Sequence, residues 1–117
     1  FYSEEILDHY RHPHNFGDLE DKTHSVRETN MACGDMVEMY LKVRDGMIEK
    51  AAFRGLGCAL STAVSSMLTD EVVGKNIDDV RKWGKEKIIE MVGEVNAGRE
   101  KCVMLPLVAL KRAVEEK

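Results

Sequence analysis

Three cysteines carry the most reactive side chains of this sequence, and each lies where the chain is expected to turn. Cys33 precedes a glycine, Cys58 follows a glycine-rich segment, and Cys102 precedes the last apolar stretch. A lone cysteine is most often a small buried hydrophobic residue. An odd number of separated thiols does not fit a disulfide framework and more often indicates metal ligands or nucleophiles. The sequence therefore predicts that Cys33, Cys58 and Cys102 converge on one transition-metal or iron–sulfur site near the surface.

Asp35 is the candidate fourth ligand, because it is the second residue after Cys33. An aspartate that follows a glycine is also an ordinary turn residue, and both interpretations stay open at this point. There is no C-x-x-C pair, which argues against a zinc ribbon or a thioredoxin-type site. His12 and His14 flank a proline and are interpreted as parts of a solvated loop.

The elements that must position these side chains predict an α+β fold. Ser3 is a suitable helix cap, and Pro13 should end the helix that follows it. Apolar and polar residues alternate from position 36 to 43, which predicts a half-buried strand, and Asp45-Gly46 predicts a hairpin to a returning strand. With a polar strand near residues 23–30, we expect a three-stranded antiparallel sheet with helices packed mainly on one face.

The predicted helices place two of the cysteines differently. Apolar residues recur at helical spacing directly after Cys58, so its thiol should lie at a helix N-terminus, where the helix dipole favours the thiolate. The last helix is predicted over residues 107–116, because Pro106 obscures its start. Cys102 is therefore expected in a loop, following the small residues of Asn96-Ala97-Gly98.

Composition limits the classes of protein that fit. The chain has 117 residues and a net charge of −4, so we expect a single domain over residues 1–117 that does not bind nucleic acid through basic patches. No apolar run approaches the roughly 20 residues of a membrane span, and no leader-like segment is present. We therefore expect a cytoplasmic protein that has no membrane partner.

Several segments together resemble a known family. The opening residues read YSEEILDHY and HPHNFG, Cys33 lies in Cys-Gly-Asp, and Cys58 lies in FRGLGCALS. Ser65-Ser66-Met67 and the residues around Cys102 and Leu105 continue the match over nearly the whole chain. In these features the sequence resembles the NifU N-terminal/IscU-type iron–sulfur cluster assembly scaffolds.

The resemblance implies a scaffold rather than an enzyme. A labile [2Fe–2S] cluster would assemble from iron, supplied by an iron donor, and sulfur, supplied by a pyridoxal-phosphate cysteine desulfurase, and would pass to acceptor apoproteins. Its ligands would be Cys33, Cys58 and Cys102, with Asp35 completing the site or labilising the cluster. Zinc would be a further occupant in the apo or as-purified form.

The resemblance also implies that Cys102 is the sulfur acceptor. Two observations on the sequence agree with that role. Lys101 and Arg99 carry positive charges that favour a thiolate, and the small residues of 96–98 would allow the loop to move. A lysine that simply points into water is the alternative interpretation, and in that case any of the cysteines would be able to accept sulfur.

Two departures from the family pattern bear on function. Lys101 stands where the family commonly has a histidine, and a protonated lysine is a poor metal ligand. Residues 95–99 read Val-Asn-Ala-Gly-Arg in place of the family's Leu-Pro-Pro-Val-Lys, so the resemblance does not extend to recognition by the dedicated Hsp70-type chaperone.

Three functional hypotheses follow. The first is the cluster scaffold, the second a zinc-bound sulfurtransferase that accepts persulfide from a desulfurase, and the third a purely structural zinc domain. The related zinc-dependent members carry a long insertion between the second and third cysteines, whereas here only 102 − 58 = 44 positions separate them. This spacing favours the scaffold, while Lys101 is the feature that favours the sulfurtransferase.

Overall fold

Alternating apolar and polar side chains along the central strand decide which face of the sheet meets the helices. The computed structural model of the protein describes residues 3–31 and 34–115. In β2 (Asp35–Arg44), Val37, Met39 and Leu41 are buried in the core, whereas Glu38 between them is partly exposed. Since successive side chains of a strand point to opposite faces, one face of β2 is left to pack against helices.

The sheet has the predicted three strands. β1 (His24–Asn30) and β3 (Met47–Leu56) pair with opposite edges of β2, and both pairings are antiparallel. The hairpin between β2 and β3 turns at Asp45 and Gly46, whose φ angles of 51° and 78° are those of the predicted tight turn. The order β1-β2-β3 is therefore a simple meander that leaves β1 and β3 as edges.

Five helices accompany the sheet in the described part of the chain. Ser3 caps the first of them as predicted, since its hydroxyl oxygen accepts a hydrogen bond of 3.2 Å from the Ile6 N–H. Asn76 caps another in the same way, by accepting from the Asp78 N–H at 2.8 Å. The helices are α1 (Glu4–Arg11), α2 (Ala59–Val72), α3 (Ile77–Arg81), α4 (Lys85–Val92) and α5 (Ala97–Glu115).

The core lies between the sheet and the two longest helices. α2 packs against β3, α1 and α5, while α5 also covers β1 and β2. Phe53, Leu68 and Leu110, from β3, α2 and α5, are each at most 1% exposed. These contacts confirm the predicted α+β fold with a three-stranded antiparallel sheet.

Membrane insertion of a helix finds no support in this architecture. Within residues 3–31 and 34–115, every helix is too short or too polar to cross a bilayer.

Candidate metal centre

Asp35 lies where two strands meet, at the first residue of β2. The β2–β3 register pairs Met36 with Leu56, so Asp35 comes opposite the end of β3 and next to Gly57. The side chain is only 5% exposed, and within the described residues its Oδ2 atom is buried with no hydrogen-bond partner. A buried carboxylate oxygen without a donor is costly, and such an atom calls for a ligand or a proton to offset its lost hydration.

Two glycines allow this close approach of β3 to β2. A Cβ atom at Gly57 would lie 2.9 Å from Asp35 Oδ1 and 3.0 Å from its Cγ, which is closer than real side-chain carbons pack. A Cβ at Gly55 would lie 2.7 Å from the backbone oxygen of Met36. The glycines around the second cysteine are therefore required by packing at the site, because only a residue without a side chain permits this close approach.

Cys58 is the N-cap of α2, which confirms its predicted position. Its sulfur lies 3.4 Å from the Ser61 backbone nitrogen, and the Ser61 N–H donates to it. Serine, threonine, asparagine and aspartate are the usual residues at this position. Here a reactive thiol takes the place of the usual capping side chain. The first turn of α2 contains no acidic residue, so no carboxylate there offsets the positive end of the helix dipole beside Cys58.

Cys102 lies inside α5, and the prediction that it occupies a loop is wrong. The helix begins at Ala97, ten residues before the predicted start at 107, and continues through Pro106. Pro106 has no N–H to donate to the carbonyl of residue 102, which is why we expected the helix to start only after it. Burial overrides that local preference, since Leu105, Pro106 and Leu107 are all buried against the rest of the fold.

The structure also removes one argument for a mobile Cys102. Ala97 and Gly98 belong to the first turn of α5 rather than to a flexible loop, and Cys102 is only 9% exposed. Cys58 is less deeply buried. Mobility of residues 96–98 therefore does not explain why Cys102 rather than Cys58 would accept sulfur.

The acidic residue nearest in sequence to Cys102, Glu100, is paired with a lysine of the preceding helix, α4. Glu100 lies 2.7 Å from Lys85 Nζ, and this hydrogen bond raises the pKa of Lys85. Because Lys85 offsets the charge of Glu100, that carboxylate opposes a thiolate at Cys102 less than it would alone. Arg99, one turn before Cys102, lines a cavity with Leu60 of α2.

Asp35, Cys58 and Cys102 come together in one group. A ligand atom from each lies within 4.8 Å of the other two. Two ligands of one tetrahedral metal with bonds of about 2.3 Å are about 3.8 Å apart, so a small closing movement would bring these atoms to bonding distance. The predicted third thiol, Cys33, lies outside the described residues, which resume at Gly34, next to Asp35.

The amino-terminal histidines form a second group that the sequence did not predict. His12 is exposed, as expected for a solvated loop. His14, however, binds Asp70 of α2, and His9 of α1 lies beside it. A separation of 56 residues between His14 and Asp70 leaves no local pattern from which this pairing could have been found.

Comparison with known proteins identifies the family of the chain. The NifU-like N terminal domain model matches residues 1–116. The chain is 35% identical over 113 residues to "Iron-sulfur cluster assembly scaffold protein IscU 1" of Archaeoglobus fulgidus, covering 97% of this chain and 74% of that protein. It is 34% identical over 119 residues to "Iron-sulfur cluster assembly scaffold protein IscU" of Escherichia coli K12, covering 98% of this chain and 92% of that protein.

The same relationship holds for the fold. The crystal structure of the N-terminal part of a nitrogen-fixing NifU-like protein from Brucella abortus superimposes with a TM-score of 0.78 at 23% identity. That alignment covers 96% of this chain and 90% of the other, so the likeness extends over nearly the whole fold. The family predicted from the sequence is thereby confirmed: the chain belongs to the NifU-like N-terminal domain family.

Proposed function

We propose that this protein is a scaffold on which an iron–sulfur cluster assembles before it passes to acceptor proteins. The observation that carries the proposal is the group formed by Asp35, Cys58 and Cys102, in which two thiols meet a buried carboxylate. One oxygen of that carboxylate, Oδ2, has no hydrogen-bond partner in the described residues. The relatives named above are themselves cluster assembly scaffolds.

The ligand set suits a cluster that must leave again. Thiolates are the usual ligands of iron–sulfur clusters, and Cys33 would add a third to Cys58 and Cys102. Asp35 contributes a hard oxygen, which matches iron–sulfur and zinc centres less well than sulfur does. We infer that the three cysteines hold a [2Fe–2S] cluster and that Asp35 weakens its retention, as a carrier requires.

Assembly on these residues requires partners. We propose that a cysteine desulfurase supplies sulfur, that an iron donor supplies iron, and that apoproteins receive the product. We keep Cys102 as the proposed sulfur acceptor because of the family resemblance. Since Cys102 is buried, the carboxyl-terminal helix or its surroundings must shift before a partner's persulfide reaches the sulfur.

A carrier of this kind catalyses no reaction of its own, and we propose no enzymatic activity. The zinc-bound sulfurtransferase is not favoured, since the relatives that match nearly the whole chain are named as scaffolds. A purely structural zinc centre is closed on all sides, whereas Cys58 is partly exposed, and this argues against the third hypothesis.

The test is anaerobic reconstitution with ferrous iron, cysteine, a cysteine desulfurase and dithiothreitol, which supplies the electrons that reduce persulfide sulfur to sulfide. We expect iron and acid-labile sulfide in equal amounts, a visible spectrum of thiolate-bound iron, and transfer of both to an apo-ferredoxin. Cys58→Ser should lose the cluster, while Met31→Ala, which changes a side chain that is 90% exposed, should retain it. Stoichiometric zinc that resists exchange, with no sulfide under these conditions, would contradict the proposal.

A further inference from the structure

Two histidines and one aspartate form a cluster outside the thiol site. A ligand atom from each of His9, His14 and Asp70 lies within 4.8 Å of the others. His14 Nδ1 is 2.5 Å from Asp70 Oδ2, and the rings of His9 and His14 have centroids 4.5 Å apart. The side chains of His14 and Asp70 are 47% and 43% exposed, so ions in solution have access to them.

Neighbouring groups hold each of these side chains in place. Asn15 donates from Nδ2 to the other oxygen of Asp70 at 2.9 Å, which leaves Oδ2 directed towards His14. Ser66 Oγ accepts the His14 backbone N–H at 2.7 Å and also lies 2.7 Å from His9 Nδ1. When His9 Nδ1 carries the proton and donates it to Ser66, its Nε2 holds a lone pair for a metal, as in many metal-bound histidines.

The loop that carries His14 is itself anchored. Asn15 adopts a left-handed backbone with a φ of 60°, a conformation that asparagine tolerates better than most residues. Its carbonyl accepts the Phe53 N–H at 3.0 Å, and the Gly17 N–H donates to the Phe53 carbonyl at 2.8 Å. Because β3 holds the loop at Asn15 and Gly17, the cluster does not have to be assembled when a ligand arrives.

The charge around the cluster is negative. His9 and Asp70 border an open depression of about 300 Å³ between α1, α2 and α4, whose other acidic residues are Glu5, Glu71 and Glu90. Lys87 offsets part of this charge, since its Nζ lies 3.7 Å from Glu71. An excess of carboxylates at the mouth of the cluster raises the local concentration of cations.

The cluster is separate from the thiol site. Both groups use α2, but Cys58 and Asp70 are 70 − 58 = 12 residues apart, which is about 18 Å along a helix. A single metal ion is therefore unable to bridge them, and a ligand at one does not use the residues of the other.

We propose that His9, His14 and Asp70 form a second metal site, selective for a divalent transition metal over Mg²⁺ and Ca²⁺. Two imidazoles and one carboxylate are the donor set that suits Fe²⁺, Co²⁺ and Zn²⁺, with the remaining positions taken by water. The opposing interpretation is that the His14–Asp70 pair only fastens residues 12–15 to α2. This proposal does not rest on the cluster scaffold function.

The first experiment measures binding of Zn²⁺ and Co²⁺ to the full chain with Cys33, Cys58 and Cys102 replaced by serine. Calorimetry should show one Zn²⁺ per chain and no response to Mg²⁺. In this cysteine-free variant, a further His14→Ala or Asp70→Asn substitution should weaken Zn²⁺ binding at least tenfold. Loss of a residue that only hydrogen-bonds to a metal ligand already lowers metal affinity by about 10–100-fold. His12 is an exposed histidine two residues before His14 and serves as the matched control. The His12→Ala substitution in the same variant should leave the Zn²⁺ affinity unchanged.

A second measurement uses the unaltered chain and so does not depend on folding of the cysteine-free variant. After one equivalent of Co²⁺ has produced the thiolate-to-cobalt absorption band, a second equivalent should shift or broaden the ring resonances of His9 and His14 but not those of His12. Equal loss of affinity in the His12→Ala and His14→Ala variants, or histidine resonances that do not respond to the second equivalent, would overturn the proposal. If Co²⁺ produces no thiolate-to-cobalt absorption band while the resonances of His9 and His14 respond, the result counts against the scaffold function and not against this site.

Discussion

Replacing Asp35 with alanine should stabilise the metal-free protein, whereas most truncations of a buried side chain destabilise the folded state. The reason is the buried Oδ2 atom, which has lost its hydration without gaining a hydrogen bond from the described residues. Such an atom is tolerated where it serves a ligand, since sites that bind often sacrifice stability. If cluster binding is what offsets this desolvation cost, removing the carboxylate should increase the free energy of unfolding of the metal-free protein.

The magnitude follows from two opposing terms. An unsatisfied buried polar group costs about 1–3 kcal/mol, and more when it is charged. Truncation to alanine leaves a space on the order of 30 Å³, which costs about 0.7 kcal/mol at about 24 cal/mol per Å³. The net gain is therefore about 0.3–2.3 kcal/mol, with a midpoint of about 1.3 kcal/mol, and each 1 kcal/mol raises the melting temperature of a domain of this size by roughly 3–5 °C.

Urea unfolding of the metal-free wild type and of Asp35→Ala, followed by circular dichroism, measures this difference. With a slope of about 1–2 kcal/mol per molar urea, the midpoint should rise by about 1 M. Asp8→Ala serves as the matched control, because Asp8 is an exposed aspartate in α1 and its replacement should change stability by less than about 0.5 kcal/mol. An Asp35→Ala midpoint equal to or below that of the wild type would refute the reasoning.

Four further outcomes are expected. Loaded with cluster, Asp35→Ala should lose its visible absorbance more slowly than the wild type, since a hard ligand has been removed, and faster loss would show that the carboxylate retains the cluster instead. Gly57→Ala should destabilise the wild type by about 1–3 kcal/mol, because its Cβ would lie 2.9 Å from Asp35 Oδ1, and most of this cost should vanish in the Asp35→Ala background when both are compared by urea unfolding. Mass spectrometry after incubation with a desulfurase and cysteine should find the main persulfide on Cys102, and its persistence in Cys102→Ser with loss in Cys58→Ser would transfer the role to Cys58. Phe53→Ala, which empties a core position that is 1% exposed, should cost about 3–5 kcal/mol in the same unfolding assay, and a cost below 1 kcal/mol would mean that the core is not centred there.

Local rules predicted most of the fold because they act over a few residues. A capping serine, an alternating strand and an Asp-Gly turn each fix the backbone nearby, and α1, β2 and the hairpin formed where those signals stood. The prediction failed at the start of α5 because there a local signal is outweighed by contacts with distant parts of the chain. Pro106 is a strong local signal against a helix, yet the buried side chains on both sides of it keep the chain helical.

The candidate thiol site was predictable in type but not in arrangement. Cysteine chemistry and the cap position of Cys58 follow from the sequence, because they depend on residue identity and on the helix that begins after it. That Asp35 is buried against Gly57, with one oxygen unpartnered in the described residues, depends on the register of β2 with β3. The sequence left open whether Asp35 is a turn residue or a ligand, and its ligand role stays a proposal that its burial beside Cys58 and Cys102 supports.

By itself, the sequence determined which functional groups the protein carries, which helix ends and turns it forms, and to which family it belongs. Tertiary structure alone decided that Cys102 lies on a helix beside Asp35 and Cys58, and that His9 and His14 meet Asp70. The physical reason is the range of the interactions. Caps, turns and alternation are set by neighbours along the chain, whereas groups more than 40 residues apart meet only when burial of the core fixes how the helices pack on the sheet.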